Sequence, residues 1–346
     1  MLRGPGPFPV SSPALDGPGA AAPNPTGRRR LTRAPPPAPV FEVVPLGVGS
    51  AIPTRSRHLS GTVVRREGRS VLFDCGEGTQ LQLVRGNLAR GRLDAVCVTH
   101  LHGDHLYGLP GLLTTLALLE REDPLTVVGP ESIGDVVRAM PGLQRDWLPY
   151  EVTFVELAPG FEPGRVVYED EAVAVTAREI EHRVFCAGFR YEEKTRPGSV
   201  DGEAARAAGV SEGWQFEALK RREPVTLDDG TTLEPDALVG PPRPGAAFAY
   251  VLDTVPCDGG RALADGADLV MHEATFADAH AERAAEVGHS TARQAAGVAR
   301  DAGAGRLLLT HFSARYSDPE PLVAEAREVF AATDAAEELA RYEVRR

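Results

Sequence analysis

The sequence predicts an α/β protein built as a four-layer αββα sandwich, in which two β-sheets face each other and helices cover the outside. Three observations support this prediction. From residue 41, short apolar runs divided by glycine turns indicate a sheet entered through hairpins, as in FEVVPLG, TVVRR and SVLFDCG. After residue 75, apolar strands alternate with helix-forming segments, and the same rhythm repeats in the second half of the chain.

Each further element is predicted from its apolar pattern and its flanking turns. The predicted strands are DAVCVTH, PLTVVG, the residues around 150–157, 171–181 and 185–190, AAFAYVLD, ADLVMHE and RLLLTH. The predicted helices lie near residues 76–89, 105–120 and 131–140 and through the 290s. Between about 191 and 245 the periodicity weakens, and Gly, Pro and charged residues become frequent, which indicates an inserted flexible arm.

Composition indicates a soluble folded protein. The 346 residues are 42% hydrophobic and 25% charged, as in an average globular chain. No apolar run approaches the roughly 20 residues that cross a bilayer, and the N-terminus lacks the apolar stretch of a signal peptide. The four cysteines form no CxxC pair, so neither a disulfide framework nor a thiolate zinc cluster is expected. We therefore expect a cytoplasmic protein with no membrane partner.

The chain divides into two parts. Residues 1–40 hold eleven of the 29 prolines, five glycines and three consecutive arginines, so we expect a disordered extension. Residues 41–346 form the expected folded domain, which contains the arm. The net charge of −12 argues, taken alone, against a protein that coats nucleic acid, because such proteins neutralise phosphates with a basic face.

The stretch THLHGDH, directly after an apolar strand, carries three of the nine histidines of the chain. Neutral imidazoles and a carboxylate suit zinc or a similar cation. A strand end fixes the backbone, while the following loop lets alternate side chains converge on one point. A loop of solvated histidines and an acid is the alternative. The candidate ligands here are His100, His102, Asp104 and His105.

Two metal ions are predicted, because the adjacent Asp104 and His105 cannot easily reach the ion held by the two histidines before them. Both sites then need ligands from later strand ends. His182, Asp253 and His311 each follow an apolar run that ends in a loop. Taken singly, each of these three has a surface or capping role as its alternative.

The pattern resembles the metallo-β-lactamase superfamily and, within it, the short-form ribonuclease Z family of endonucleases that mature tRNA 3′ ends. The residues HEAT at 272–275 and HST at 289–291 distinguish this family from other hydrolases with the same metal loop. The segments that carry the resemblance are LGVGSAIPTRSRH, FDCGEGTQLQ, THLHGDHLYGLPGLL, GFRYEEKTRPGSV, MHEATFADA, VGHSTARQAA and LLLTHFSARY.

The resemblance implies two Zn²⁺ ions per subunit, with Mn²⁺ or another divalent ion as the alternative. The implied ligands are His100, His102 and His182 for one ion, Asp104, His105 and His311 for the other, and Asp253 for both. A bridging water or hydroxide would be the nucleophile, and Asp104 would also accept a proton. His289 would protonate the leaving 3′ oxygen and would be kept protonated by Glu273. A helix-capping acid and a buried histidine are the alternative for this pair.

Other residues are expected to support the site or to contact substrate. Asp74 would anchor the metal loop through hydrogen bonds, with a turn-forming role as its alternative, and His272 would support the site from behind or be structural. Phosphate or acceptor-end contacts are expected from four residues, with ordinary surface chemistry as the alternative: Arg55, Arg57, Ser313 and Arg315. The arm tip would bind phosphate through Lys220, Arg221 and Arg222.

The chain departs from the family pattern in the substrate-binding parts. His58 stands where the family usually shows Asn, and Leu252 where Gly often precedes the shared aspartate. Gly213 and Trp214 replace an expected Gly-Pro pair in the arm, where acidic residues outnumber basic ones. We therefore expect basic side chains to concentrate on the active-site face and the arm tip, with acids on the far side.

The implied function is a zinc-dependent endoribonuclease that removes the 3′ trailer of precursor tRNA after the discriminator nucleotide and leaves a 3′-hydroxyl on the tRNA. A homodimer that does not act on DNA is expected. The alternative is another phosphodiesterase, or an arylsulfatase-like hydrolase, of the same fold that acts on a small substrate. An RNA-binding protein without catalysis is disfavoured by intact ligands at all seven positions.

Overall fold

The computed structural model describes residues 41–89, 91–140, 143 and 148–346. Within these residues, most strands belong to two seven-stranded sheets. The predicted disordered extension, residues 1–40, lies outside the described residues. The first half of the chain supplies β1 (Phe41–Gly47), β2 (Gly61–Arg66), β3 (Arg69–Phe73), β4 (Arg92–Cys97), β5 (Leu125–Pro130) and β6 (Val152–Leu157). The second half supplies β7 (Arg165–Glu169), β8 (Val173–Ile180), β9 (Cys186–Glu193), β10 (Val225–Thr226), β11 (Thr232–Leu233), β12 (Ala247–Val251), β13 (Leu269–Glu273), β14 (Leu307–Thr310), β15 (Thr333–Ala335) and β16 (Tyr342–Val344).

The helices connect and cover these strands. They are α1 (Thr79–Arg85), α2 (Gly103–Leu106), α3 (Leu109–Leu118), α4 (Ile133–Arg138), α5 (Gly202–Ala207), α6 (Gly213–Lys220), α7 (Asp258–Ala264), α8 (Ala281–Val287), α9 (Ala292–Asp301) and α10 (Glu320–Arg327). Two short 3₁₀ turns span Pro235–Ala237 and Asp278–His280. None of the helices in the described part of the chain has the length and hydropathy needed to span a bilayer.

Both sheets combine antiparallel and parallel strands in the same way. The first sheet has the order β16-β1-β2-β3-β4-β5-β6, with antiparallel pairing up to β3 and parallel pairing from β3 to β6. The second has the order β15-β14-β13-β12-β9-β8-β7, antiparallel from β7 to β12 and parallel from β12 to β15. The carboxyl ends of the parallel strands in each sheet lie at one edge, where side chains from several strands meet.

The two largest clusters of buried apolar residues lie on opposite faces of the first sheet. Residues of β4 alternate between the layers: Ala95 and Cys97 face the second sheet, whereas Val96 packs with the outer helices. Between the sheets, the ring of Phe73 lies 5.9 Å from that of Phe189 and 5.4 Å from that of Tyr250. Helices α7, α9 and α10 pack on the second sheet. The predicted four-layer αββα sandwich is therefore confirmed.

The helix predicted near residues 105–120 is two helices, α2 and α3. Pro110 lies in the first turn of α3, where its missing N–H costs nothing, so it starts a new helix rather than continuing the first. Between the two helices, Gly108 approaches the loop after β3 so closely that a Cβ would lie 2.1 Å from the carbonyl oxygen of Gly76. The loop that carries the metal-binding motif is held against the sheet in this way.

The inserted segment contains secondary structure of its own, which the sequence pattern did not predict. Helices α5 and α6, the β10–β11 hairpin and a 3₁₀ turn surround a small apolar cluster that includes Ala205, Leu219 and Val239. Weak periodicity concealed this core because the helices are only six and eight residues long. Trp214, at the start of α6, stays 61% exposed.

Candidate metal centre

The predicted ligands lie just beyond the carboxyl ends of four strands, at one edge of the sandwich. The loop of residues 100–105 follows β4, and three single residues follow β8, β12 and β14: His182, Asp253 and His311. Asp253 and His311 have positive φ angles of 51° and 57°, as does Asp74 after β3, at 56°. Non-glycine residues adopt this conformation at an energetic cost, and such strain concentrates at functional sites.

The side chains form two adjoining groups. In the first group, the nearest ligand atoms of His100, His102, His182 and Asp253 lie within 4.8 Å of one another. In the second, the same holds for Asp104, His105 and His311. Asp253 and His311 also form a third such group with His289. The family resemblance implies the first two sets, with Asp253 common to both.

Asp253 lies between the two groups. Its Oδ2 is 3.7 Å from Nε2 of His100 and 3.5 Å from Nε2 of His105, and its Oδ1 is 3.2 Å from Nε2 of His311. Within the described residues, Oδ1 of Asp253 and the Nε2 atoms of His105 and His311 are buried without a hydrogen-bond partner. Buried polar atoms are normally paired, and imidazole and carboxylate donors are typical metal ligands. The residues therefore fit a divalent metal site.

Hydrogen bonds on the far side of each ring fix which nitrogen faces the site. Nδ1–H of His182 donates to the carbonyl of Gly288 over 2.8 Å. Nδ1 of His311 lies 2.9 Å from the hydroxyl of Thr275. Gly288 has φ of 76°, and a Cβ there would lie 3.0 Å from the His182 ring, so glycine gives this contact its room. These contacts leave Nε2 of both histidines free to bind a metal ion.

Asp74 anchors His105. It is fully buried and accepts hydrogen bonds from Nδ1–H of His105 at 2.7 Å and from the amide of Thr99 at 2.8 Å. Asp104 is held from the other side, since the amide of Ala51 donates to its Oδ2 over 2.9 Å. Asp74 therefore contacts the residues at both ends of the segment from Thr99 to His105 through hydrogen bonds.

The electrostatics of the centre favour charge on its acids. Burial alone would raise the pKa of Asp253, but attraction to the imidazoles of His311 and His105 outweighs it and holds that pKa well below its ordinary value. Burial likewise opposes a charge on His105, yet the carboxylates of Asp253 and Asp74 hold its pKa well above its ordinary value. These carboxylates favour positive charge at Nε2 of His105, which either a proton or, in its place, a metal ion supplies.

His289 and Glu273 form a pair at the mouth of the centre. Nδ1–H of His289 donates to Oε1 of Glu273 over 2.8 Å, and the fully buried carboxylate also accepts from the amides of Thr254 and Thr275. Burial would lower the pKa of His289, but attraction to Glu273 prevails and raises it to about 9. This attraction favours the protonated imidazole, and His289 lines a cleft of about 350 Å³ beside the two metal groups.

The other predicted residues divide into those near this cleft and those away from it. The guanidinium of Arg315 lies 4.8 Å from the ring of Phe276, which in turn lies 6.2 Å from the ring of His289. Ser313 contacts Arg315 through its hydroxyl. His272 is fully buried, with its Nδ1 bonded to the carbonyl of Glu273, and it belongs to neither metal group.

Arg57 differs from the expected substrate contact. Its side chain is buried and donates to the carbonyls of Ser317 and Ser313, over the ring of Phe312. These hydrogen bonds occupy the buried guanidinium and join two loops, which corrects the prediction that Arg57 contacts the acceptor end. Arg55, two residues earlier, is exposed on the same loop.

The arm tip carries the predicted cations, but acids accompany them. Each cation forms an exposed ion pair: Lys220 with Glu217 at 2.6 Å, Arg221 with Glu223 at 2.8 Å, and Arg222 with Asp236 at 2.6 Å. The net charge of this tip is consequently much smaller than its basic residues suggest.

Sequence reasoning missed several residues of the site. Arg183 and Val184, directly after a predicted ligand, line the cleft. Thr275, which positions His311, was present in the HEAT motif and received no role. Tyr250 donates to Asp74 from the opposite sheet, at a distance in sequence that no local pattern reveals.

Known proteins are similar to this chain in both sequence and fold. Models described as "Anti-Pycsar protein Apyc1" and "Beta-lactamase superfamily domain" match residues 41–137 and 237–312. The chain is 56% identical to ribonuclease Z of Salinibacter ruber, across 88% of this chain and 94% of that one. It is 40% identical to ribonuclease Z of Bacillus licheniformis, across 88% and 100%.

A solved structure gives the same answer for the fold. The crystal structure of human tRNase Z, short form, matches with a TM-score of 0.63 and 29% identity, across 88% of this chain and all of that one. The identities to the two bacterial proteins extend over nearly the whole described domain. The chain has the metallo-β-lactamase fold and belongs to the ribonuclease Z family.

Proposed function

We propose that this protein removes the 3′ trailer of precursor tRNA by one hydrolytic cut after the discriminator nucleotide, leaving a 3′-hydroxyl on the tRNA. Membership of the family makes it a tRNA 3′-processing endoribonuclease. The observation that carries the mechanism is the pairing of a cation-binding centre with a protonated imidazole at its mouth. Hydrolysis of a phosphodiester needs stabilisation of negative charge and a proton for the leaving oxygen, and the two parts supply these.

The ligand sets support two metal ions, and their chemistry favours zinc over Mn²⁺, since most of the donors are imidazoles. The proposed ligands are His100, His102 and His182 for one ion and Asp104, His105 and His311 for the other, with Asp253 shared. When bound, such a pair of cations lowers the pKa of a shared water and neutralises charge on the phosphodiester.

In this proposal Asp104 accepts a proton and His289 donates one. The imidazoles of His105 and His311 outweigh burial and lower the pKa of Asp104, so it is an anion that can accept a hydrogen bond from the attacking water. Its role as acceptor of the water's proton rests on the family resemblance. His289 is the cation that donates its proton to the 3′ oxygen. Glu273 keeps that proton in place and orients the ring through Nδ1, which leaves Nε2–H for the leaving group.

Positive side chains around the cleft would bind the substrate backbone. Arg183 lines the cleft of the metal centre, and Arg315 lies over the ring of Phe276, which in turn lies near His289. Their guanidinium groups suit phosphate oxygens. Arg55 and the three arm cations would contact more distant phosphates of the tRNA.

Cleavage mapping of a precursor tRNA tests the function directly. Wild-type protein should make one cut after the discriminator nucleotide, and His289→Ala should slow that cut by about 100-fold or more. His280→Ala is the matched control, since His280 is an exposed histidine outside both metal groups. Rapid turnover of a small phosphodiester without a cut in the RNA would instead favour a small-substrate hydrolase.

We also propose that the protein is a cytoplasmic homodimer joined through α1 and α3. The two helices touch through Gln80 and Thr115. Beside this contact the apolar side chains of Leu81, Val84 and Leu118 are 59%, 66% and 84% exposed. Adjacent exposed apolar groups of this size are typical of an interface, and a two-fold dimer would bury them against their own copies.

Sedimentation measurements test the dimer. Leu81→Glu combined with Val84→Glu should give a monomer, because carboxylates opposite each other across a two-fold interface repel. Val166→Glu, at a similarly exposed valine on β7, is the control and should stay dimeric. A wild-type monomer at micromolar concentration would refute this part of the proposal.

A further inference from the structure

A second cleft opens beside the cleft of the metal centre, at the carboxyl ends of β5 and β6. Its volume is about 420 Å³, within the roughly 300–1,000 Å³ of small-molecule sites. Pro130 and Leu157 form its floor at the two strand ends, and Phe185 comes from the turn between β8 and β9. His102 and Val184 line both clefts, so the two adjoin each other.

The chemistry of this cleft fits a nucleobase better than a phosphate. Its walls are mostly apolar, with the aromatic ring of Phe185 and two prolines, Pro130 and Pro159. Glu131 is its charged residue, and among the described lining residues neither Lys nor Arg occurs. A carboxylate repels a phosphate, whereas flat apolar surfaces and an aromatic ring favour stacking of a neutral base.

The arrangement of histidines gives the direction in which the RNA crosses the site. The ring of His289 lies 5.1 Å from that of His182, which lies 5.4 Å from that of His102. The second cleft lies beyond His102, at the opposite end of this row from His289. Under the proposed function, His289 protonates the oxygen that stays with the mature tRNA, so the trailer leaves toward His102.

We propose that this cleft binds the nucleobase of the first trailer nucleotide, an inference that rests on the proposed function. The base stacks on Phe185 and lies against Val184, while its own phosphate is the one under attack in the adjoining cleft. Glu131 accepts a hydrogen bond from an exocyclic amino group, which favours cytosine or adenine over uracil. The enzyme thereby recognises the first nucleotide of the trailer as well as the tRNA body.

Single-turnover cleavage of matched precursors tests the inference. One precursor carries a base at the first trailer position, a second has an abasic ribose there, and a third has its abasic ribose three nucleotides further along. Wild-type protein should cut the second about tenfold more slowly than the first, and the third at the rate of the first. In Phe185→Ala the difference between the first two precursors should largely disappear, with the abasic precursor cut at the wild-type rate.

Variants and outcomes distinguish the inference from the proposed function. Val184→Ala should shrink the same difference by about threefold, whereas Val166→Ala, at a valine of similar exposure on β7, should leave it unchanged. Glu131→Gln should reduce the preference for cytosine over uracil. Equal cleavage of the first two precursors by wild-type protein, or an unchanged difference in both cleft variants, overturns the inference while the proposed function stands. Absence of any cut after the discriminator overturns both.

Discussion

The hydroxyl of Tyr250, in β12 of the second sheet, donates a hydrogen bond over 3.1 Å to Oδ2 of Asp74, which directly follows β3 of the first sheet and is 176 positions away in sequence. The same oxygen accepts the Nδ1–H of His105 at 2.7 Å. All three side chains are buried. Hydrogen bonds from Tyr250 to Asp74 and from His105 to Asp74 therefore connect the core of the second sheet to a candidate metal ligand that follows a strand of the first sheet.

Tyr250→Phe should weaken metal binding. Without the phenol, Asp74 loses one of the donors that fix its orientation, and His105 is held less firmly. Partners behind a ligand typically contribute 10- to 100-fold to affinity, so we expect a loss of about tenfold. Competition with a chromophoric chelator measures it. Stability should fall by roughly 1.5–3 kcal/mol, the range for a hydrogen bond to a charged group.

Tyr191→Phe is the control for this prediction. Tyr191 is also buried between the sheets, but its hydroxyl makes no hydrogen bond to any described residue. The control variant should bind metal as the wild type does. Equal affinity of the Tyr250 variant and the control would show that the contact does not support the ligand.

The candidate centre was largely predictable from sequence because each ligand stands at the end of an apolar strand. This position is visible in the chain itself, and strands that run in the same direction, paired or not, end at the same edge of a sheet. His182, Asp253 and His311 each follow this rule and lie in the two metal groups.

Contacts that depend on packing between distant elements were not predictable. The burial of Arg57 requires knowing that the loop after β14 lies against the loop after β1, as the isolated bridges of Gly49 to Leu59 and to Phe312 indicate. His58 likewise meets a residue near the C-terminus, with its Nδ1 2.7 Å from Oε2 of Glu338. Neither partner is marked by periodicity or by a local motif.

Removing ligands from one group should change the metal stoichiometry before it changes the fold. Wild-type protein should bind two equivalents of zinc. His182→Ala should retain about one equivalent, because His182 belongs only to the first group. Elemental analysis after dialysis gives the ratio, and single-turnover activity should fall by at least about 100-fold if both ions act on the phosphodiester.

His280→Ala should keep both equivalents, since His280 is exposed and lies in neither group. A single equivalent in wild-type protein would contradict the assignment of two sites. Retention of two equivalents in the His182 variant would show that the first ion does not depend on that imidazole.

The pH profile should report the pair of His289 and Glu273. His289 must be protonated to act as an acid, and its pKa is about 9, so activity should persist at neutral pH and decline as the pH rises through about 9. In Glu273→Gln the attraction that raises this pKa is gone while burial still lowers it. The alkaline decline should then move to lower pH by at least about one unit.

A substrate with sulfur in place of the bridging 3′ oxygen is the control, because a thiolate leaves without a proton. His289→Ala should cut this substrate at nearly the wild-type rate while it cuts the ordinary precursor slowly. An equal defect on both substrates would assign His289 a role other than proton donation.

At the arm tip, Lys220 and Arg221 are each paired with a glutamate, so removal of these glutamates should strengthen the binding of RNA phosphates. Because exposed ion pairs contribute little stability, Glu217→Gln with Glu223→Gln should leave the fold intact while freeing Lys220 and Arg221 for phosphates. We expect kcat/KM for precursor tRNA to rise about 3- to 10-fold at 50 mM salt and the gain to vanish as salt screens the added charge. Asp301→Asn, which breaks a comparable exposed ion pair on α9, should change neither kcat/KM nor its dependence on salt. If both variants respond alike, the arm tip makes no special contact and the substrate senses only the overall charge of the protein.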